Sequence, residues 1–178
     1  MLTDDQARRY SRHVLLKDVG GAGQEKLLKT PVRVRGGGTA LETAATYLAA
    51  GGSPLLWEGP EYTAFFLAGQ IAPTIKDLNP DAEGSTGEEA DVDPPRLECK
   101  AGTVFVGSDQ LSWFPAPVCE DCAVEQAPGR GDPQIGALAA IALQRLILGL
   151  EKDAGALKLD LKQGKDARIA VPRCSKHA

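Results

Sequence analysis

The stretch VRVRGGGTALETAATYLAAGGSPLLWE, Val32 to Glu58, decides the fold. Its first four residues alternate apolar and charged with period two, the pattern of a strand. Gly36-Gly37-Gly38 then makes a turn. Leu41, Ala44, Ala45, Leu48 and Ala49 recur at helical spacing and predict a helix from Thr39 to Ala50. Gly51-Gly52 closes that helix, as glycine after a helix commonly does. Pro54-Leu55-Leu56-Trp57 is a second short strand. Residues 32 to 58 therefore make a βαβ unit of nearly minimal size, which places the chain in the α/β class.

Working outward, Thr3 is an N-cap with Gln6 at the N3 place of a capping box. The helix it opens runs through RRYSRHVLL, Gly20, Gly21 and Gly23 break it, and a short helix from Gln24 to Lys29 ends at Thr30-Pro31. Downstream, Phe65 to Leu78 reads as helical pieces around Pro73. From Asn79 to Pro95 the chain is acidic and nearly free of large apolar residues, the composition of a linker. Thr103 to Val106 is a strand. Ile135 to Leu150 is the most apolar helix, buried on much of its surface. Ala156 to Leu161 and Ala167 to Val171 form a hairpin turning at Gln163-Gly164-Lys165. There is no internal repeat.

At 178 residues the chain is long enough to bury a core without staples. A net charge of −4 argues against a nucleic-acid surface, whose footprint is basic. No run approaches the ~20 apolar residues of a membrane span, and MLTDDQARRY is too polar for a signal peptide, so the expected location is cytoplasmic. Cys119-Glu120-Asp121-Cys122 is a C-x-x-C pair, followed about 50 residues later by Cys174-Ser175-Lys176-His177, a C-x-x-H pair. In such a chain this spacing favours a metal over disulfides. Two short turns each delivering two ligands suit tetrahedral zinc, and a site with four protein ligands is structural. Cys99 belongs to neither pair.

The run RYSRHVLLKDVGGAGQEKL, Arg9 to Leu27, resembles the opening of the ThiF/MoeB/HesA family, which reads R-Y-x-R-Q, hydrophobics, then G-Q-x-x-L. The resemblance continues through Val32 to Gly52, where the family has a strand, a G-x-G-G-x-G turn and a helix ending Y-L-A-x-x-G. It returns at Gly102 to Phe105, at the C-x-x-C, at Gly136 to Gly149, and at the terminal hairpin. Family members are relatives of the ubiquitin-activating enzymes. They use ATP and magnesium to adenylate the C-terminal glycine of a ubiquitin-like sulfur-carrier protein. The resemblance implies a reduced Rossmann-like βαβ sheet with a C-terminal zinc-tied β hairpin and a homodimer. It assigns zinc to Cys119, Cys122, Cys174 and His177, the last standing where the family usually has cysteine. Gly36 and Gly38 match the first two glycines of the nucleotide loop, Glu58 the acidic residue for the ribose hydroxyls, and Arg12 the arginine that reaches a partner's ATP. The chain divides on this reading into N-terminal helices (1–30), a reduced nucleotide-binding region (31–78), an acidic linker (79–98) and a zinc-binding C-terminal region (99–178).

Departures from the family pattern fall on the nucleotide site. Thr39 stands at the third loop glycine and Leu41 at the last, where bare backbone lets phosphates approach and the helix pack. Phe66 and Gly69 replace the asparagine and arginine of an N-L-x-R-Q segment, and the family's lysine and magnesium-binding aspartate have no assignable match. Arg33 and Arg35 occupy a strand that is aliphatic in the family, which implies that the strand has become an edge. These replacements point to a non-adenylating, homodimeric binding or scaffold protein. An active adenylyltransferase of reduced size is the alternative, and a small-ligand or nucleotide-binding protein using the βαβ crevice is a third reading.

Overall fold

The computed structural model describes residues 1–58, 65–67, 70–72, 75–82, 84–86, 95–118, 131–160, 163 and 165–171. Among these, the N-terminal segment holds α1 (Asp4–Arg9), α2 (Ser11–Val14) and α3 (Gly20–Leu28). The βαβ unit is β1 (Val32–Arg35), α4 (Thr39–Ala50) and β2 (Leu55–Glu58), and β1 pairs with β2 in parallel. Next come β3 (Phe65–Leu67), β4 (Gln70–Ala72), α5 (Ile75–Leu78), β5 (Gly84–Thr86), β6 (Arg96–Cys99), β7 (Gly102–Val106) and β8 (Gln110–Pro115). The chain continues with α6 (Pro133–Leu148), β9 (Gly155–Asp160) and β10 (Lys165–Ala170). Eight strands form one mixed sheet in the order β10-β9-β8-β7-β6-β1-β2-β5. Only β1, β2 and β5 run parallel, and the other pairings are antiparallel.

One face of the sheet carries the core. Val34, Trp57, Leu97, Val104 and Trp113 follow one another across five strands in direct register. All five are buried beneath α4 and α6, which pack on each other and, respectively, on β2 and on β7–β8. Gly136 makes the crossing of α4 and α6 close: a Cβ there would stand 2.1 Å from the Ala40 carbonyl oxygen. Asp132 caps α6 by accepting from Gln134 N at 2.8 Å, and Pro133 occupies the first turn, where a missing N–H costs nothing. Gly149 ends the helix in the left-handed conformation. No helix among the described residues is long and apolar enough to cross a membrane.

Several sequence expectations hold. The capping box at Thr3 and Gln6 forms, α4 has the expected bounds, and the C-terminal strands pair as a hairpin. Others need correction. The first helix breaks at Tyr10, because that side chain is buried against Asn79. The glycines at 20, 21 and 23 begin α3 rather than ending a helix, and Gly23 lets α3 approach Leu148 of α6. Of the helical pieces expected around Pro73, the one after it forms as α5, while residues 65–67 and 70–72 form a two-stranded hairpin. The region read as an acidic linker contains buried Asn79 and Ala82, and β5, which extends the parallel set beside β2.

The strand β1 is not an edge: it lies between β6 and β2. Val32 and Val34 fill the helix-covered face while Arg33 and Arg35 occupy the opposite one. Burial on a single face explains the alternation that the family's aliphatic strand lacks.

Candidate functional site

The site expected from the sequence lies at the carboxyl ends of β1 and β2, the place where open α/β sheets bind ligands. Gly36 and Gly38 have φ of 94° and 115°, a region L side chains rarely adopt, and Gly36 N donates to the Glu58 carbonyl oxygen at 3.1 Å. Gly38 is the N-cap of α4, with no side-chain cap hydrogen bond. Thr39 opens the helix on its exposed side, and Leu41 is turned fully into the core. Leu41 therefore fills the helix–sheet junction.

Glu58 is not a free carboxylate. Arg33 Nε lies 3.1 Å from one of its oxygens and Arg35 Nε 3.0 Å from the other. Arg35 also reaches Glu98 at 3.8 Å, and Glu98 pairs with Arg96. Three arginines and two glutamates thus form a ladder over β2, β1 and β6. Register dictates it: Arg35 stands opposite both Glu58 and Arg96, and Arg33 opposite Glu98. The pairing of Arg35 with Glu58 is electrostatic and off the hydrogen-bonding direction, since the buried Nε makes no hydrogen bond. Arg33 is half exposed, so each ion pair by itself is modest, and it is the network of five charges that holds Glu58 in place. A ribose hydroxyl would have to displace these arginines or share the Glu58 oxygens with them.

Arg12 is exposed on α2 and forms no ion pair among the described residues. Beside it, His13 Nδ1 is 2.9 Å from Gln24 Oε1, and buried Gln24 donates to the Gly51 carbonyl oxygen at 2.8 Å. His13 is thus tied to the α3–α4 packing through Gln24. Cys99 is partly buried in β6, and burial pushes its thiol up, which leaves less of the nucleophilic thiolate. The side chains of Cys119, Cys122, Cys174 and His177 lie outside the described residues, as does Gly69. Among the described residues no three His, Cys, Asp or Glu side chains gather as a metal site.

Sequence reading missed a second cluster, in the region taken for a linker. Asn79 Nδ2 donates to the Tyr10 hydroxyl at 2.9 Å and to the α4 carbonyls of Ala49 and Ala50 at 2.9 and 3.0 Å. Its Oδ1 accepts from Asp81 N at 3.1 Å. Burial pushes the Tyr10 phenol up to about 12. Burial also raises Asp81, but hydrogen bonds from Arg9, Tyr10 and Gln6 outweigh it and hold the carboxyl below its usual range. The available signal was Tyr10 itself, whose buried hydroxyl needs a partner.

No family model and no curated protein matches the sequence. Solved structures do. PaaA aligns with 97% of this chain and 85% of its own, at TM-score 0.62 and 14% identity. The microcin C7 biosynthetic enzyme MccB in complex with N-formylated MccA covers 96% of this chain and 74% of its own, at TM-score 0.61 and 13% identity. E. coli MccB with ATP aligns with 94% of this chain and 72% of its own, at TM-score 0.57 and 14% identity. PaaA and MccB are ThiF/MoeB-like proteins, and at this level of identity what the chain shares with them is the fold.

Proposed function

We propose that the chain is a ThiF/MoeB-like protein that does not adenylate and serves as a homodimeric binding or scaffold partner. The observation that carries this reading is the engagement of both Glu58 oxygens by Arg33 and Arg35. The residue assigned to the ribose is committed to holding two arginines on the open sheet face. Thr39 adds a side chain where phosphates need bare backbone. Its partner is a polypeptide, by analogy with MccB, which has been solved with MccA, and with the ubiquitin-like sulfur-carrier proteins of the family. Pyrophosphate exchange into ATP, with a carrier protein ending in glycine-glycine supplied, tests the reading. The expected result is no exchange above background, and robust turnover would refute it.

One observation favours the alternative, an active ATP- and magnesium-dependent adenylyltransferase. The N-terminus of α4 keeps its glycine entry and has no side-chain cap hydrogen bond, an arrangement that suits a phosphate at a helix N-terminus. MccB, of the same fold, has been solved with ATP.

A structural zinc belongs to this proposal, held by Cys119, Cys122, Cys174 and His177. Val118, next to the first pair, and Val171, just before the second, pack on the same Phe105–Phe114 cluster. That shared contact supports the two pairs meeting, and their thiolate and imidazole donors suit zinc. The ion would tie the terminal hairpin to the Cys119 loop. Elemental analysis should return one zinc per chain, lost in Cys119→Ser; protein without zinc would overturn this part.

The homodimer needs a surface other than the apolar face of α6. The apolar residues of α6 are largely spent on the protein's own core, so its hydrophobicity demands no partner. Leu15, Leu16, Tyr47 and Ile141 are the large apolar side chains left exposed around α2, α4 and α6. We assign the second copy to this face, and light scattering at micromolar concentration should give twice the monomer mass.

A further inference from the structure

A cleft of about 280 Å³ opens on the helix-bearing side of the sheet, between α6 and strands β8–β10. It is separate from the β1–β2 crevice, and Ile141 on its rim also belongs to the exposed patch with Tyr47. Its floor is apolar, formed by Leu111, Trp113, Leu138, Ala142 and Leu157. A second hollow of about 300 Å³ continues it along α6, sharing Leu138, Leu157 and Asp166. The size is at the lower end for a small-molecule site.

Three observations specify what would fit. Trp113 is buried, yet its indole Nε1 has no hydrogen-bond partner. Buried donors are almost always satisfied, so this orphan, sealed behind the cleft wall with Arg168 over its ring, marks a place where an acceptor is missing. Two cations line the same end: Arg168 stands over the Trp113 ring at 5.1 Å, and Arg145 lies across the cleft. Both are held by one carboxylate, Glu151, at 3.1 and 2.7 Å. Two guanidiniums sharing one carboxylate leave a surplus positive charge at that end. The opposing charges, Asp166 on the shared lip and Asp160 with Lys165 beyond it, lie toward the second hollow.

We infer that this cleft binds a small amphipathic anion, with its carboxylate at Arg145, Arg168 and the Trp113 N–H and its apolar body along Leu138 and Leu157. Arg168 is mostly exposed and swings off the indole to admit the head group. Guanidinium forks match a carboxylate in geometry as well as charge. The long hollow along α6 favours a chain or single ring over a bulky ligand.

Calorimetry of the full protein with decanoate, and with decanol as its uncharged counterpart, tests this. Decanoate should bind saturably at one site, at least tenfold tighter than decanol. Arg168→Ala and Arg145→Ala, both at exposed positions, should each weaken decanoate at least tenfold and leave decanol unchanged. Trp113→Phe removes the N–H together with the pyrrole ring, and should weaken decanoate more than decanol. Absence of saturable decanoate binding in the wild-type protein overturns the inference. So does equal affinity for acid and alcohol, or indifference to both arginine substitutions, since either would mean simple adsorption to apolar surface. None of these outcomes depends on whether the protein adenylates.

Discussion

Asn79→Ala is the sharpest test of the packing around Tyr10. The amide is buried and serves four partners: the Tyr10 hydroxyl, two carbonyls at the end of α4, and the Asp81 N–H. Truncation leaves those groups without it, and an orphaned buried polar group costs about 1–3 kcal/mol. The helix-end carbonyls have two lone pairs each and water reaches part of the turn, so the full sum does not apply. A loss of about 3 kcal/mol is the expected total. Urea unfolding followed by circular dichroism reads it directly. With a slope of about 2–3 kcal/mol/M for a chain of this size, the midpoint should fall by roughly 1–1.5 M. Asn79→Asp should be at least as harmful at neutral pH, because it removes the donors and sets a carboxylate against carbonyl oxygens. A change below about 0.5 kcal/mol, the range of ordinary surface substitutions, would refute the reasoning and restore the linker reading.

Two further substitutions probe the same architecture. Gly136→Ala places a Cβ 2.1 Å from the Ala40 carbonyl oxygen, so despite the better helix propensity it should destabilise by about 2 kcal/mol, measured by thermal melt. Tyr10 is raised from its ordinary value near 10 to about 12, so the folded state holds its proton more tightly than the unfolded one. That contribution is complete below pH 10 and is lost between pH 10 and 12, about 3 kcal/mol on linkage arithmetic. In Tyr10→Phe this part of the alkaline loss should vanish, and an unchanged pH slope would show that the phenol is not so held.

The βαβ unit was legible because its apolar periodicities are intact from Val32 to Trp57. The hairpin and α6 were legible for the same reason. The missed strands lack such a signal. In β8, four consecutive residues are buried, so no alternation appears. In β6 a single buried Leu97 sits among Arg96, Glu98 and Cys99, and β5 is Gly-Ser-Thr. Their pairing comes from long-range register, which a local pattern does not encode. At the candidate site the types of residue at Gly36, Gly38 and Glu58 were readable. The ion-pair ladder was not, because it needs β6 beside β1. Arginines that looked like evidence of an edge strand are instead balanced across three neighbouring strands.

The claim at the centre is that Glu58 and the loop before α4 no longer serve a nucleotide. Titration calorimetry of the full-length chain with ATP and magnesium tests it most directly. The predicted result is no saturable binding up to millimolar ATP. Micromolar binding that Gly38→Val abolishes would contradict it, and would mean that the Arg33–Glu58–Arg35 ladder opens to admit the ribose.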